Sequence, residues 1–241
     1  MMKYIFFVLL FIVGNFFFAQ SQSKNMKPGD TGRIPTPKIY LLYFKNGTPF
    51  DRDLSRITNK PVKDEMMQEA GRRVKEFQSL WDQEGANYLQ IAFAEVGLPF
   101  PYVEMQAALT VSPVASTSAP LIINIKSFLS SAEKPAPLSV FPIILFHELM
   151  HTYLRGIGDS SLFRKKYASE SFVTLNHLHL MALEKFVLLK LGKTEVLNWL
   201  DNDYRTGLPP DYKRAWEIVN DIEDYQTFIK DLKLIPVKKV K

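Results

Sequence analysis

The stretch from Leu138 to Arg155 constrains this chain more than any other. Phe141 to Phe146 is a strongly apolar lead-in, and Leu149, Met150, Thr152 and Tyr153 keep the run uncharged around His147, Glu148 and His151. A helix of that character belongs in an interior rather than on a solvated face. Ser139 is its expected N-cap, Pro142 is tolerated so near the start, and Gly156 supplies a stop.

The remaining pattern divides the chain. Lys38 to Phe44 reads as a strand, followed by a turn at Asn46-Gly47. Asp64 to about Gly85 carries a helical stripe of Met67, Ala70, Val74, Phe77 and Leu80 or Trp81. A further helical stretch, Ala86 to Val96, ends at Gly97. Tyr102 to Val111 and Pro120 to Ile125 read as strands, the second from its β-branched bulk. Helices are then expected over 169–191, 194–200 and 211–232. Strands in the N-terminal half and helices in the C-terminal half predict an α+β fold with a small mixed sheet.

The ends carry other signals. Lys3 precedes an apolar run from Ile5 to Phe18, and Ala19-Gln20-Ser21 follows with small and polar residues. That layout predicts a secretory signal peptide over 1–19, cleaved near Ala19. The run falls short of the ~20 apolar residues of a membrane span, so no stable membrane insertion is expected once it is removed; an uncleaved anchor is the alternative. Residues 20–37, rich in Ser, Lys, Gly and Pro, read as a flexible linker, with the domain spanning 38–235 and a basic tail at 236–241. An exported protein, periplasmic or extracellular, is the expectation.

The chain has no cysteine, so disulfides are excluded and any metal site must use histidine and carboxylate ligands. Net charge is +5, or +4 once Lys3 leaves with the leader. Much of that excess is local to Lys233, Lys238, Lys239 and Lys241, and no aromatic-basic motif accompanies it, so nucleic-acid binding is not expected.

On a helix, the four-residue spacing of His147 and His151 places both on one face, offset by about 40° and about 6 Å of rise. Both imidazoles can then reach one metal ion. Glu148 stands beside that ion, where it can take a proton from a water and pass it to a leaving group. All four histidines of the chain lie between His147 and His179. Residues 144–153, Ile-Leu-Phe-His-Glu-Leu-Met-His-Thr-Tyr, resemble the active-site helix of the zincin metallopeptidases. The resemblance implies Zn²⁺, a peptide or protein substrate, and Glu148 as the catalytic base. It also likens Pro120–Ile125 to the edge strand that lies beside the substrate in that fold.

A catalytic zinc takes three protein ligands and a water. The third must come from elsewhere, and His177, His179 and Glu184 are available. On a helix His177 and His179 point about 200° apart, and His177 and Glu184 are separated by about 10.5 Å of rise, so one alone can ligate. In the gluzincin branch the third ligand is a Glu that follows an Asn on the next long helix. Asn176-His177 is similar, with His in the Glu position. The metzincin pattern is absent, because Arg155-Gly156-Ile157-Gly158 lacks the needed histidine. His177 is therefore the expected ligand. His179 either serves near the site or is a satisfied core histidine. Glu184 is the alternative ligand and otherwise a solvated charge beside Lys185.

Tyr153, Tyr204, Arg205 and Tyr212 are available to stabilise an oxyanion. Trp199 and Trp216 fall on apolar helical stripes and are expected in the core. No Gly-x-Ser-x-Gly elbow or phosphate-cradling glycine loop is present. The rival to a zinc hydrolase is a non-catalytic exported binding or structural protein that retains a zincin-like metal site, structural or vestigial, which a closed four-ligand site would favour.

Overall fold

In the computed structural model, residues 34–43, 49–156 and 160–235 are described. The expected leader, the tail at 236–241 and the Asn46-Gly47 turn lie outside them. The expected linker overlaps them only at 34–37, where Ile34 packs against the core and its carbonyl accepts a bond from Gln90.

The fold is α+β and mostly helical, with eight α-helices and a four-stranded sheet among the described residues. The strands β1 (Lys38–Leu42), β2 (Glu104–Thr110), β3 (Thr117–Ser118) and β4 (Leu121–Asn124) run in the order β1-β2-β4-β3. The first two pairings are parallel and the last antiparallel, so the sheet is mixed as expected. Ile39 and Leu41 are buried while their neighbours along β1 are exposed, which turns one face of the sheet toward the helices. The outer edge of β1 is covered by a side chain. Gln78 accepts from the Leu41 N–H at 2.8 Å and donates to the Ile39 carbonyl at 3.0 Å, blunting an otherwise open edge.

Helix α2 (Asp64–Val96) is continuous, where the sequence reading broke it near Gly85. Gly85 is a packing position and not a break: a Cβ there would sit 2.4 Å from the Trp81 ring. Short α1 (Pro49–Thr58), absent from the sequence reading, is anchored through Asp51. Its fully buried carboxylate accepts from the Tyr43 hydroxyl at 3.0 Å and from Ser112 at 2.7 Å.

Helix α3 (Phe141–Tyr153) starts later than expected, after a 3₁₀ turn over Leu138–Val140, and Ser139 does not cap it. Gly156 follows it with φ of 79°, a left-handed conformation that glycine adopts without steric cost. Eleven of its thirteen residues are buried, in keeping with its apolar sequence. Its neighbours are α2, the β3–β4 hairpin and α5 (Phe172–Lys190). Helix α5 is long and apolar enough to cross a membrane, yet α2, α3, α6 (Thr194–Thr206), α7 (Pro210–Glu217) and α8 (Tyr225–Leu234) all pack on it. It is the core helix of this unit. Ser171 caps it, accepting from Thr174 N at 3.1 Å, so it begins three residues past the expected start at 169. One helix over 211–232 is replaced by α7, a π turn over Ile218–Ile222, and α8. The break is local: Asp224 accepts from Gln226 N at 2.9 Å and so starts a new helix. The short α4 (Leu162–Lys166) was not anticipated.

Candidate metal centre

Helix α3 presents His147 and His151 one turn apart, and α5 brings His177 against them. Each offers one ligand nitrogen, and the three nitrogens lie within 4.8 Å of one another. The ring centroids are 5.0, 5.2 and 4.7 Å apart. Burial lowers the pKa of His147 and of His177 to about 4 each. His151 is lowered further, first by burial and then by repulsion from its two partners and Arg155. All three imidazoles are thus neutral at neutral pH, the form that donates a lone pair to a metal.

Hydrogen bonds fix which nitrogen is free. His177 donates from Nδ1 to the Val173 carbonyl at 2.7 Å, one helical turn back. Its Nε2 is buried and has no hydrogen-bond partner among the described residues. A buried polar atom left without a partner costs about 1–3 kcal/mol, so its place beside two further imidazoles calls for a ligand. His147 Nδ1 lies 3.0 Å from Glu184 Oε1, and Glu184 Oε2 accepts from the Tyr204 hydroxyl at 2.7 Å. That carboxylate-to-imidazole bond leaves Nε2 of His147 as its ligand nitrogen and orients the ring.

Glu184 is therefore neither the third ligand nor a solvated charge: it is 1% exposed, and its oxygens serve His147 and Tyr204. Burial raises its pKa to about 8, against the pull of the Tyr204 hydroxyl and of His177. A cation on the far nitrogen of His147 would draw it back toward the carboxylate form.

Glu148 occupies a cleft of about 280 Å³ with His151, Asn176, Tyr212 and the 116–119 segment. Burial, and then the charge of Glu184, raises its pKa to about 8. The strand beside the cleft is β3, because β4 lies inside the sheet between β2 and β3. This corrects the expectation that Pro120–Ile125 forms the edge. A two-residue strand of Thr and Ser carries too little pattern to be read from sequence.

Of the four oxyanion candidates, Tyr212 alone lines the cleft, with its ring centroid 4.3 Å from that of His177. Tyr153 is in the core and donates to the Leu98 carbonyl at 2.8 Å. Tyr204 is committed to Glu184, and Arg205 pairs with Asp201 and Asp221. His179 belongs to a separate buried cluster, 2.8 Å from Asp231 and 3.2 Å from Ser161, which ties α5 to α8 and to the start of α4. Trp216 is buried, and Trp199 packs partly buried against the core. A larger hollow of about 380 Å³ lies between α2, α5 and α8, but it contains no histidine.

Among known proteins, no family model, no curated protein and no solved structure matches the chain. The donor set itself, three neutral imidazoles with one nitrogen orphaned, fits a metal ion.

Proposed function

We propose that the chain is an exported zinc-dependent hydrolase that cleaves peptide bonds. The observation that carries this reading is the buried, unpartnered Nε2 of His177 beside His147 and His151. Three imidazole nitrogens without thiolates are a donor set suited to zinc, and three protein ligands leave a fourth position open. Because Glu184 is spent on His147 and Tyr204, it does not close that position, which favours an enzyme over a four-ligand structural site.

Zinc held there would supply Lewis acidity, polarising a substrate carbonyl and acidifying a water. The chain's own residues do the rest. Glu148, the residue between the two α3 ligands that faces the cleft, takes the proton from the attacking water and hands it to the leaving amine. A bound cation would favour its carboxylate form, from which it can serve as base and then, once protonated, as acid. Glu184 holds His147 in one orientation, and the Tyr212 side chain adjoins the space where the carbonyl oxygen would develop charge.

Elemental analysis of the purified protein, with its leader removed, should find one zinc per chain. Glu148→Gln should retain the zinc and lose peptide hydrolysis. Absence of zinc, or undiminished turnover in the variant, would sink the reading. Recovery of the protein outside the cytoplasm with an N-terminus near residue 20 tests the export proposal.

A further inference from the structure

The cleft beside the three histidines is polar and small-sided. The 116–119 segment, Asn176 and Tyr212 line it with Glu148 and His151, and among the described residues no large aliphatic side chain does. Such a wall offers little to an apolar substrate side chain, whose binding depends on buried apolar area. Recognition must come from polar contacts.

One cationic group stands a single hydrogen bond behind that wall. Arg164, on α4, donates from Nη1 to Asn176 Oδ1 at 2.8 Å, and Asn176 lines the cleft next to the ligand His177. The guanidinium is half-buried and forms no ion pair among the described residues. Nearby arginines are used differently: Arg214 pairs with Glu170, and Arg205 with Asp201 and Asp221. A guanidinium presents five N–H donors in a planar fork that matches a carboxylate, and only one donor is taken by Asn176. Asn176, which does line the cleft, tethers the fork directly behind it and keeps its own two amide donors. Among the described residues Glu148 is the one carboxylate in the lining, and it makes no ion pair with Arg164. Arg155, just past α3, also lacks an ion pair among the described residues, and its charge reaches His151.

We propose that Arg164, held by Asn176, selects peptides that carry a carboxylate beside the scissile bond, either an acidic side chain or the peptide's own C-terminus. This rests on the zinc-hydrolase reading and names its substrate class.

Binding tests it without turnover. Zinc-loaded Glu148→Gln protein is titrated calorimetrically with two pairs of hexapeptides. One pair differs by Glu against Gln at an internal position, the other by a free against an amidated C-terminus. The account expects the carboxylate member of at least one pair to bind about tenfold tighter than its neutral twin, and the pair that responds identifies the source of the carboxylate. Adding Arg164→Ala should collapse that ratio to below about twofold, and Arg164→Glu should transfer the preference to a lysine-containing peptide. Melting curves check that each variant is folded, and the charge-reversed variant decides if the alanine variant is not. Equal binding of both twins by the parent protein, no binding at all, or a ratio indifferent to Arg164 overturns the proposal. The hydrolase reading is judged separately, by whether wild-type protein cleaves any of the four peptides.

Discussion

Glu184→Ala removes the acceptor for two buried donors at once, the Nδ1–H of His147 and the hydroxyl of Tyr204, bonded at 3.0 and 2.7 Å. Tyr204 is 3% exposed and His147 7%, so water does not readily replace the lost partner. The Tyr204 hydroxyl also lies 3.3 Å from His147 Nδ1 and can accept its N–H, so one donor is left unsatisfied, at a cost of about 1–3 kcal/mol. A second effect falls on the metal. Without its carboxylate partner, the His147 ring loses its fixed tautomer and orientation, which lowers metal affinity by about 10- to 100-fold. That loss corresponds to about 1.4–2.7 kcal/mol. Tyr204→Phe deletes the bond on the other oxygen and the longer 3.3 Å contact with His147 Nδ1 but leaves the Glu184–His147 bond, and should cost about 1 kcal/mol of stability with a smaller loss of zinc. Competition titration against a fluorescent zinc chelator reads affinity, and urea unfolding with and without zinc reads stability. A Glu184→Ala protein that binds zinc within twofold of wild type would refute the reasoning, since a remote structural glutamate gives that result.

Two further outcomes follow from the packing. Gly85→Ala should lower the melting temperature although alanine favours helix by ~1 kcal/mol, because the new Cβ would press into the buried Trp81 ring and overpacking costs about 1–3 kcal/mol; differential scanning calorimetry reads the sign, and a raised melting temperature would contradict the contact. Glu69 accepts from the backbone N–H of Ser130 and Ser131 at 2.7 and 3.0 Å and pairs with Arg73. Burial pushes its pKa up, but the bonds from Ser130 and Ser131 outweigh it and hold the pKa well below the ordinary range. A depressed folded-state pKa contributes stability above the unfolded value of about 4.3 and loses it as pH falls. Urea unfolding should therefore show wild type more stable than Glu69→Gln by about 2 kcal/mol or more at pH 7, with the gap closing below pH ~4. A gap independent of pH would argue against this.

What could be read from the sequence was local. His147, Glu148 and His151 share one helical turn, so their spacing alone fixes a common face, and the structure keeps them on it. The α+β division and the mixed sheet followed from period and β-branched content. Helix geometry left one of His177, His179 and Glu184 as the ligand, and His177 was reached from the resemblance of Asn176-His177 to the gluzincin pattern. Glu184 was misread because a carboxylate beside a lysine looks solvated in one dimension. Its neighbour Lys185 does point to another environment, half-buried over the Tyr225 ring, while Glu184 faces His147. The Gly85 reading failed for a related reason: glycine marks a helix break or a close contact, and only the Trp81 indole distinguishes them. The cleft wall at Ser116–Ala119 and the Arg164–Asn176 contact had no sequence signal, since both arise from segments brought together by the fold.

The central claim is that His147, His151 and His177 hold one metal and leave a position open. Zinc K-edge absorption spectroscopy on the purified full chain tests it most directly. The account predicts three imidazole nitrogens and one oxygen at about 2.0–2.1 Å, falling to two imidazoles in His177→Ala. A first shell with four protein ligands, or one unaltered by His177→Ala, would contradict it.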